Sequence, residues 1–160
     1  MVDLESVSRR VHEFFTGRDY TIAVAESCTG GLICHSLTNH SGSSKYFTQG
    51  VVTYSAEAKT NILKIPRQQI TKYGVVSIQI ALEMAKQVRI LFNSNIGISS
   101  TGFTGPSGGT IEHSVGTAFV AVATDKWSKS VEIHSSSDRE GNKSYFAARA
   151  LELILEIDAE

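Results

Sequence analysis

Apolar residues recur along this 160-residue chain at two spacings, and each spacing predicts a different kind of secondary structure. A step of three to four residues indicates an amphipathic helix, and short continuous or alternating apolar runs are typical of strands. The predicted helices cover residues 3–16 and 55–63 and begin near Gly30, after Ser77 and after Asp138. The predicted strands cover residues 21–25, 47–54, 96–98, 115–124 and 128–134. Ser77 and Asp138 are residue types that cap helix N-termini.

The order of these elements predicts the fold. Helices and strands alternate through the first part of the chain, as they do where helices cover both faces of a parallel sheet. The last strands follow one another without a helix between them, which makes the sheet mixed. We therefore predict a three-layer α/β/α sandwich with a mixed, mostly parallel sheet, built as one domain over residues 1–160.

Composition and charge indicate which classes of partner the protein is not expected to bind. The chain is 41% hydrophobic and 19% charged, with a net charge of −1 and no basic run, so we expect neither a nucleic-acid nor a membrane partner. The N-terminus lacks the pattern of a secretory signal, and the two cysteines, Cys28 and Cys34, form no disulfide framework. These features predict reduced thiols in a cytoplasmic protein. The five histidines show no metal-site spacing, and we expect neither metal nor cofactor.

The segment Glu-Ser-Cys-Thr-Gly-Gly, residues 26–31, stands where the first predicted strand gives way to a helix. Free N–H groups at a helix start can bind an anion or an oxyanion, and Ser27 or Cys28 on such a turn can act as a nucleophile. The segment matches neither Gly-x-Ser-x-Gly nor a P-loop. From its spacing alone, the simpler interpretation is a turn in which Ser27 or Thr29 caps the helix and the glycines permit the bend.

Three other segments carry groups that could act on a substrate. Tyr54 ends a predicted strand, and Lys59 lies in the predicted helix that follows it. A lysine whose pKa is depressed can act as a base, and a tyrosine hydroxyl can relay a proton. Residues 99–110 contain four glycines, so their backbone N–H groups could form an anion-binding nest. Arg139 could pair with a phosphate or a carboxylate. Each segment also fits a structural role as a solvated charge, a half-buried ring, a flexible connection or a capped helix.

Taken in order, these segments resemble one family. The stretches "AESCTGGL", "GSSKYFTQGVVTYSAEAK", "YGVVS", "STGFTGPSGGT", "VGTAFVAVAT" and "SSDRE" are similar to the C-terminal domain of the competence-damage-inducible protein CinA, a family of nicotinamide-nucleotide amidohydrolases. The resemblance covers about residues 5–155. It implies a three-layer fold and a homodimer or higher homo-oligomer. It also implies hydrolysis of the carboxamide of nicotinamide mononucleotide, which would recycle pyridine nucleotides. Many relatives carry a further N-terminal domain, and the length of this chain leads us to expect the stand-alone form.

The resemblance assigns roles to matching positions. Ser27 is implied as the nucleophile, Tyr54 and Lys59 as its catalytic partners, and Arg139 as the arginine of the family's Gly-Asp-Arg motif. Substrate contacts are implied for Glu26, Cys28, Thr29, Gly30, Gly31, Gly102, Gly105, Gly108, Gly109, Thr110 and Arg139.

The implied mechanism is acyl transfer. Ser27 attacks the carboxamide carbon, and neutral Lys59, directly or through Tyr54, takes the hydroxyl proton. N–H groups near Gly30 hold the oxyanion. Cys28 stays open as the rival nucleophile because thiols are intrinsically better ones.

The rest of the nucleotide has more than one expected contact. Its phosphate would rest on the backbone of residues 102–110 or on Arg139. Glu26 could face the cationic pyridinium ring or serve as a structural carboxylate. The chain departs from the family pattern at Ser137, usually a glycine, and at Thr104, usually an alanine.

Two other classes of function stay open. One is a non-catalytic nucleotide-binding module, in which the glycine loops bind phosphate and the serine only caps a helix. The other is a partner protein in DNA uptake or recombination, although a near-zero net charge argues against direct contact with DNA.

Overall fold

A computed structural model describes residues 2–157 of the chain. The helices are α1 (Leu4–Phe15), α2 (Leu32–Thr38), α3 (Ala56–Leu63), α4 (Arg67–Tyr73), α5 (Ile78–Leu91) and α6 (Arg139–Ile154), with a short 3₁₀ turn at Ser43–Lys45. The strands are β1 (Ile22–Glu26), β2 (Phe47–Val52), β3 (Ile96–Gly102), β4 (Thr117–Ala123) and β5 (Ser128–His134).

The five strands form one mixed sheet in the order β2-β1-β3-β4-β5. β1 runs parallel to both β2 and β3, whereas β4 runs antiparallel to both β3 and β5. Four strands therefore point the same way and β4 alone is reversed, which confirms the predicted mixed, mostly parallel sheet. The carboxyl ends of β1, β2 and β3 meet at one edge of the sheet, where ligands bind in open α/β folds.

Helices cover both faces of this sheet, which confirms the three predicted layers. Alternate residues of β1 point to opposite faces. Ile22 and Val24 pack with α1, α2 and α6, and Ala23 and Ala25 pack with residues of α3 and α5. β4 is buried along its whole length, while β2 lies at the edge and is largely exposed.

The helix caps explain where the pattern predicted helices well and where it did not. Ser77 and Asp138 cap α5 and α6 by accepting hydrogen bonds from backbone N–H groups three residues on, as predicted. α2 begins at Leu32 rather than near Gly30, because Gly30 and Gly31 both have positive φ angles, 60° and 100°. α4 was not predicted: none of its residues is fully buried, so no apolar stripe marks it.

Across residues 2–157, every helix is too short or too polar to cross a bilayer. Within the same residues, no group of three or more His, Cys, Asp or Glu side chains is arranged to hold a metal ion.

Candidate active site

The turn after β1 and the first turns of α3 bring Ser27 and Lys59 into contact. The Nζ of Lys59 lies 3.0 Å from the Oγ of Ser27 and 2.7 Å from the carbonyl oxygen of Thr53. Both side chains are buried, with 7% of Ser27 and 1% of Lys59 exposed. Burial lowers the pKa of Lys59 to about 8, because the ammonium loses its hydration, and the nearby Cys28 thiol only partly offsets this. A neutral amine beside the serine is therefore accessible in mildly alkaline solution.

Local backbone structure fixes both members of this pair. The N–H of Ser27 donates to the carbonyl oxygen of Ser100 at 3.0 Å, which extends the pairing of β1 with β3 by one residue. Ser55 caps α3 by accepting from the N–H of Ala58 at 3.0 Å, and Lys59 lies one turn further on. Helical side chains lean toward the N-terminus, so the long lysine stem reaches back to the serine.

Glu26 has the surroundings of a structural carboxylate, the second of the two roles that the sequence left open for it. It is fully buried. Its two oxygens accept hydrogen bonds from the Thr29 hydroxyl and from the backbone N–H groups of Gly31, Ile33 and Cys34, at 2.9 to 3.1 Å for the N–H donors. The carboxylate thus caps α2 from within the core, where a negative charge also complements the helix dipole.

This cap changes the expected oxyanion site. The N–H of Gly30 donates to the carbonyl oxygen of Ser27, and the N–H of Gly31 donates to Glu26. The N–H groups of Gly30 and Gly31 are therefore already occupied. Within residues 2–157 the N–H groups of Cys28 and Thr29 donate to no backbone carbonyl oxygen, which leaves them as candidate donors. The hydroxyl of Thr29 faces the core, where it also bonds to Ser100.

The two candidate nucleophiles have different environments. Burial raises the pKa of the Cys28 thiol to about 12, so this thiol stays protonated in neutral solution. A protonated thiol is a poor nucleophile. Ser27, by contrast, has the amine of Lys59 within hydrogen-bonding distance of its hydroxyl. The geometry favours Ser27.

Residues at the start of α6 hold the far side of the site. Arg139 donates from Nη1 to the carbonyl oxygen of Gly105 at 2.6 Å and from Nη2 to the hydroxyl of Tyr54 at 3.0 Å. One turn further along, the buried Asn142 donates from Nδ2 to the carbonyl oxygen of Thr104 at 3.0 Å. α6 therefore fixes two consecutive carbonyl groups of the glycine loop together with Tyr54. Tyr54 has no hydrogen bond to Ser27 or Lys59, so the direct Ser27–Lys59 contact replaces the alternative relay through Tyr54.

These groups surround a cavity of about 210 Å³ at the carboxyl edge of the sheet. Its lining includes Ser27, Cys28, Tyr54, Lys59, Gly102 and Thr104. Sequence reasoning missed Ala56, Val75, Val76, Thr101 and Phe103, which also line it. Val75 and Val76 belong to the stretch "YGVVS", one of those that resemble the family, so its place among the matching motifs could have indicated a role at the site.

The distal part of the glycine loop lies outside this cavity. The N–H of Thr110 donates to the carbonyl oxygen of His113 at 2.7 Å, and the hydroxyl of Thr110 accepts from the N–H of His113. Gly108, Gly109 and Thr110 are absent from the cavity lining, so their predicted substrate contacts have no counterpart here.

The fold and the site define a class: an α/β protein with a buried Ser–Lys pair at the carboxyl edge of a mixed sheet. The chain belongs to the CinA C-terminal domain family, whose model matches residues 4–157.

Individual relatives agree with this assignment. A CinA-like protein of Koribacter versatilis is 42% identical over 150 residues, which cover 94% of this chain and 36% of that protein. A CinA-like protein of Flavobacterium psychrophilum is 42% identical over 142 residues, 89% of this chain and 34% of its own length. The chain thus spans about a third of the curated relatives it matches.

Solved structures match over almost their whole length. The competence/damage inducible protein CihA from Agrobacterium tumefaciens superposes with a TM-score of 0.93 at 33% identity and covers 98% of this chain and 96% of its own. The competence damage-inducible protein A from Klebsiella pneumoniae gives a TM-score of 0.93 at 26% identity, with coverage of 99% and 98%.

Proposed function

We propose that this chain is an amidohydrolase that cleaves the carboxamide of nicotinamide mononucleotide to nicotinic acid mononucleotide and ammonia, in pyridine nucleotide recycling. One observation carries the proposal: the contact of 3.0 Å between Lys59 Nζ and Ser27 Oγ, with the pKa of the lysine lowered by burial to about 8. A serine beside a neutral amine is one arrangement in which an adjacent base activates a hydroxyl for attack on an amide.

The first half-reaction uses this pair directly. Ser27 Oγ forms a bond to the carboxamide carbon, and its proton passes to the lone pair of neutral Lys59. The carbonyl becomes an oxyanion, for which the free N–H groups of Cys28 and Thr29 are the candidate donors. When the C–N bond breaks, the ammonium of Lys59 returns the proton to the nitrogen, which leaves as ammonia.

The second half-reaction reverses these roles. Water attacks the ester on Ser27 while Lys59 takes one proton of the water. Lys59 then gives this proton to Ser27 Oγ as the ester bond breaks, and the acid product releases its remaining proton to solvent as it becomes the carboxylate. Tyr54 has a separate role in this proposal. Its oxygen accepts from Arg139, so its own proton stays available to donate to the substrate.

Cavity size supports an amide-bearing ring as the reacting part. Sites for whole drug-sized ligands run from roughly 300 to 1,000 Å³, and the volume beside Ser27 is about 210 Å³. This volume suits a single substituted ring whose remaining groups extend outside the cavity. Val75, Val76 and Phe103 give the cavity apolar walls for such a ring.

The test is an ammonia-release assay on the purified chain with nicotinamide mononucleotide, nicotinamide riboside and nicotinamide as separate substrates. We expect release from the mononucleotide, and a loss of roughly 10³-fold or more in Ser27→Ala. Folding of the variant is checked by circular dichroism. Calorimetric binding of the mononucleotide without ammonia over hours would instead support a non-catalytic binding module.

The homo-oligomer, the cytoplasmic location and the lack of a nucleic-acid partner stay proposals. Light scattering measures the first. A gel shift at moderate salt tests the last, and retention of DNA there would favour the partner-protein alternative.

A further inference from the structure

A second cavity lies beside the first, where the start of α6 faces the turn before α2. Its volume is about 490 Å³, and it is lined by Leu4, Leu32, Arg139, Glu140, Lys143 and Ser144. Sequence reasoning gave Lys143 no role. In the fold its ammonium lies directly over Gly30, so that a methyl group placed on Gly30 would be 3.5 Å from Lys143 Nζ.

The two cations in this cavity lack carboxylate partners. Within residues 2–157 neither Arg139 nor Lys143 forms an ion pair. Arg139 directs two N–H groups to neutral oxygens, which leaves three of the five donors of a guanidinium. Glu140 is the one carboxylate among the lining residues, so the lining carries a net positive charge. An anion between two like charges relieves their repulsion.

Two hydrogen bonds link residues at this second cavity to residues of the catalytic cavity. Arg139 lines the second cavity and donates to Tyr54, which lines the first. The N–H of Gly30, which lies beneath Lys143, donates to the carbonyl oxygen of Ser27 at 3.1 Å. A substrate whose ring occupies the small cavity can therefore extend its polar end toward Lys143.

We propose that Lys143, together with the free donors of Arg139 and the hydroxyl of Ser144, binds the phosphate of the substrate and makes the enzyme select phosphorylated over unphosphorylated amides. This inference rests on the proposed function for the identity of the substrate. It assigns a specificity-determining residue that neither motif spacing nor the family resemblance indicated. Glu140 limits the subsite to a strongly negative group, since a weak anion would gain little against its carboxylate.

The test compares Lys143→Gln with Lys126→Gln, which removes the same charge from the exposed turn between β4 and β5. Values of kcat/KM are measured with nicotinamide mononucleotide and with nicotinamide riboside, which lacks the phosphate. We expect Lys143→Gln to lose roughly 10- to 100-fold on the mononucleotide, as expected for one charge-assisted contact, and to stay within about twofold on the riboside. Lys126→Gln should match the wild type on both. Equal losses on both substrates, or no loss on either, would overturn the proposal.

A second measurement separates this inference from the proposed function. Ribose 5-phosphate is titrated into the wild type and into Lys143→Gln by calorimetry, which needs no turnover. Binding that weakens about tenfold or more in the variant supports the anion subsite, even if no amide is cleaved. Binding equal in both proteins overturns the subsite, even if ammonia release is normal.

Discussion

The side chains of Ser27 and Lys59, 32 residues apart in the chain, meet at 3.0 Å inside the protein. The lysine is buried, and its second hydrogen bond goes to the neutral carbonyl oxygen of Thr53. An ammonium in such a place is less stable than one in water, so the environment itself favours the basic form. The pair is therefore assembled before any substrate arrives.

Activity should rise with pH. Only neutral Lys59 can accept the serine proton, and the pKa of Lys59 lies at about 8. We expect kcat/KM on the proposed substrate to increase through pH 8 and to level off above it. Initial rates from pH 6 to 10 measure this. The variant Tyr54→Phe should be slower yet keep the same inflection, and a profile that is flat or falls across pH 8 would contradict Lys59 as the base.

The lowered pKa of Lys59 should also make the free energy of unfolding depend on pH. The pKa of Lys59 is lower in the folded protein, about 8, than the ordinary value of 10.5. The unfolded chain therefore binds more protons between these values, and wild-type stability rises with pH across that window. Relative to Lys59→Met, the wild type should gain roughly 3 kcal/mol in unfolding free energy from pH 7 to pH 10.5. Urea denaturation measures the difference. The control Lys126→Met keeps Lys59, so its stability should differ from that of the wild type by the same amount at both pH values. A gap between the wild type and Lys59→Met that stays constant with pH would refute the buried ammonium.

The thiol beside the nucleophile should be dispensable. Burial raises the pKa of Cys28 to about 12, so little thiolate exists at neutral pH. We expect Cys28→Ala to retain turnover within about tenfold of the wild type, and iodoacetamide to inactivate the wild type slowly at pH 7.5. Loss of all activity in a folded Cys28→Ala variant would make the cysteine the nucleophile instead.

Glu26 should matter for stability rather than for substrate affinity. Its carboxylate accepts four hydrogen bonds at the start of α2, and Glu26→Gln replaces one acceptor oxygen by a donor that faces N–H groups. We expect a loss of about 2 to 4 kcal/mol in unfolding free energy. Thermal melts measure it, with the exposed Glu57→Gln as the control. Unchanged melting together with a large rise in KM would restore the substrate-binding interpretation.

Arg139 and Tyr54 should act as a unit. Their hydrogen bond links α6 to the segment between β2 and α3, so removing either partner removes the same contact. In a double-mutant cycle with Arg139→Gln and Tyr54→Phe, the effects on kcat/KM should be non-additive by about 0.5 to 1.5 kcal/mol. Nicotinamide riboside is the substrate for this cycle, because it keeps phosphate contacts out of the comparison. Additive effects would show that the bond does not position Tyr54.

The sequence predicted those helices and strands whose buried residues form a recognisable apolar pattern along the chain. α5 and α6 have apolar faces and capping residues, and β4 is a buried run, so each was found. α4 has no fully buried residue and therefore no periodic stripe. The sequence predicted the motif around Ser27 but not the hydrogen bonds that its residues form. The same residue spacing allows Ser27, Thr29 or the buried Glu26 to accept from the N–H groups at the start of α2, and only the structure shows that Glu26 does so.

By itself, the sequence determined the layers of the fold and the segments that build the site, since hydrophobic period and motif order are local properties of the chain. Only the tertiary structure decided what each polar group does. It assigned the N–H groups of α2 to Glu26, buried Lys59 against Ser27, and placed Lys143 over Gly30. Burial and contacts between distant residues set these roles, because the charge state and free donors of a group depend on what surrounds it in space.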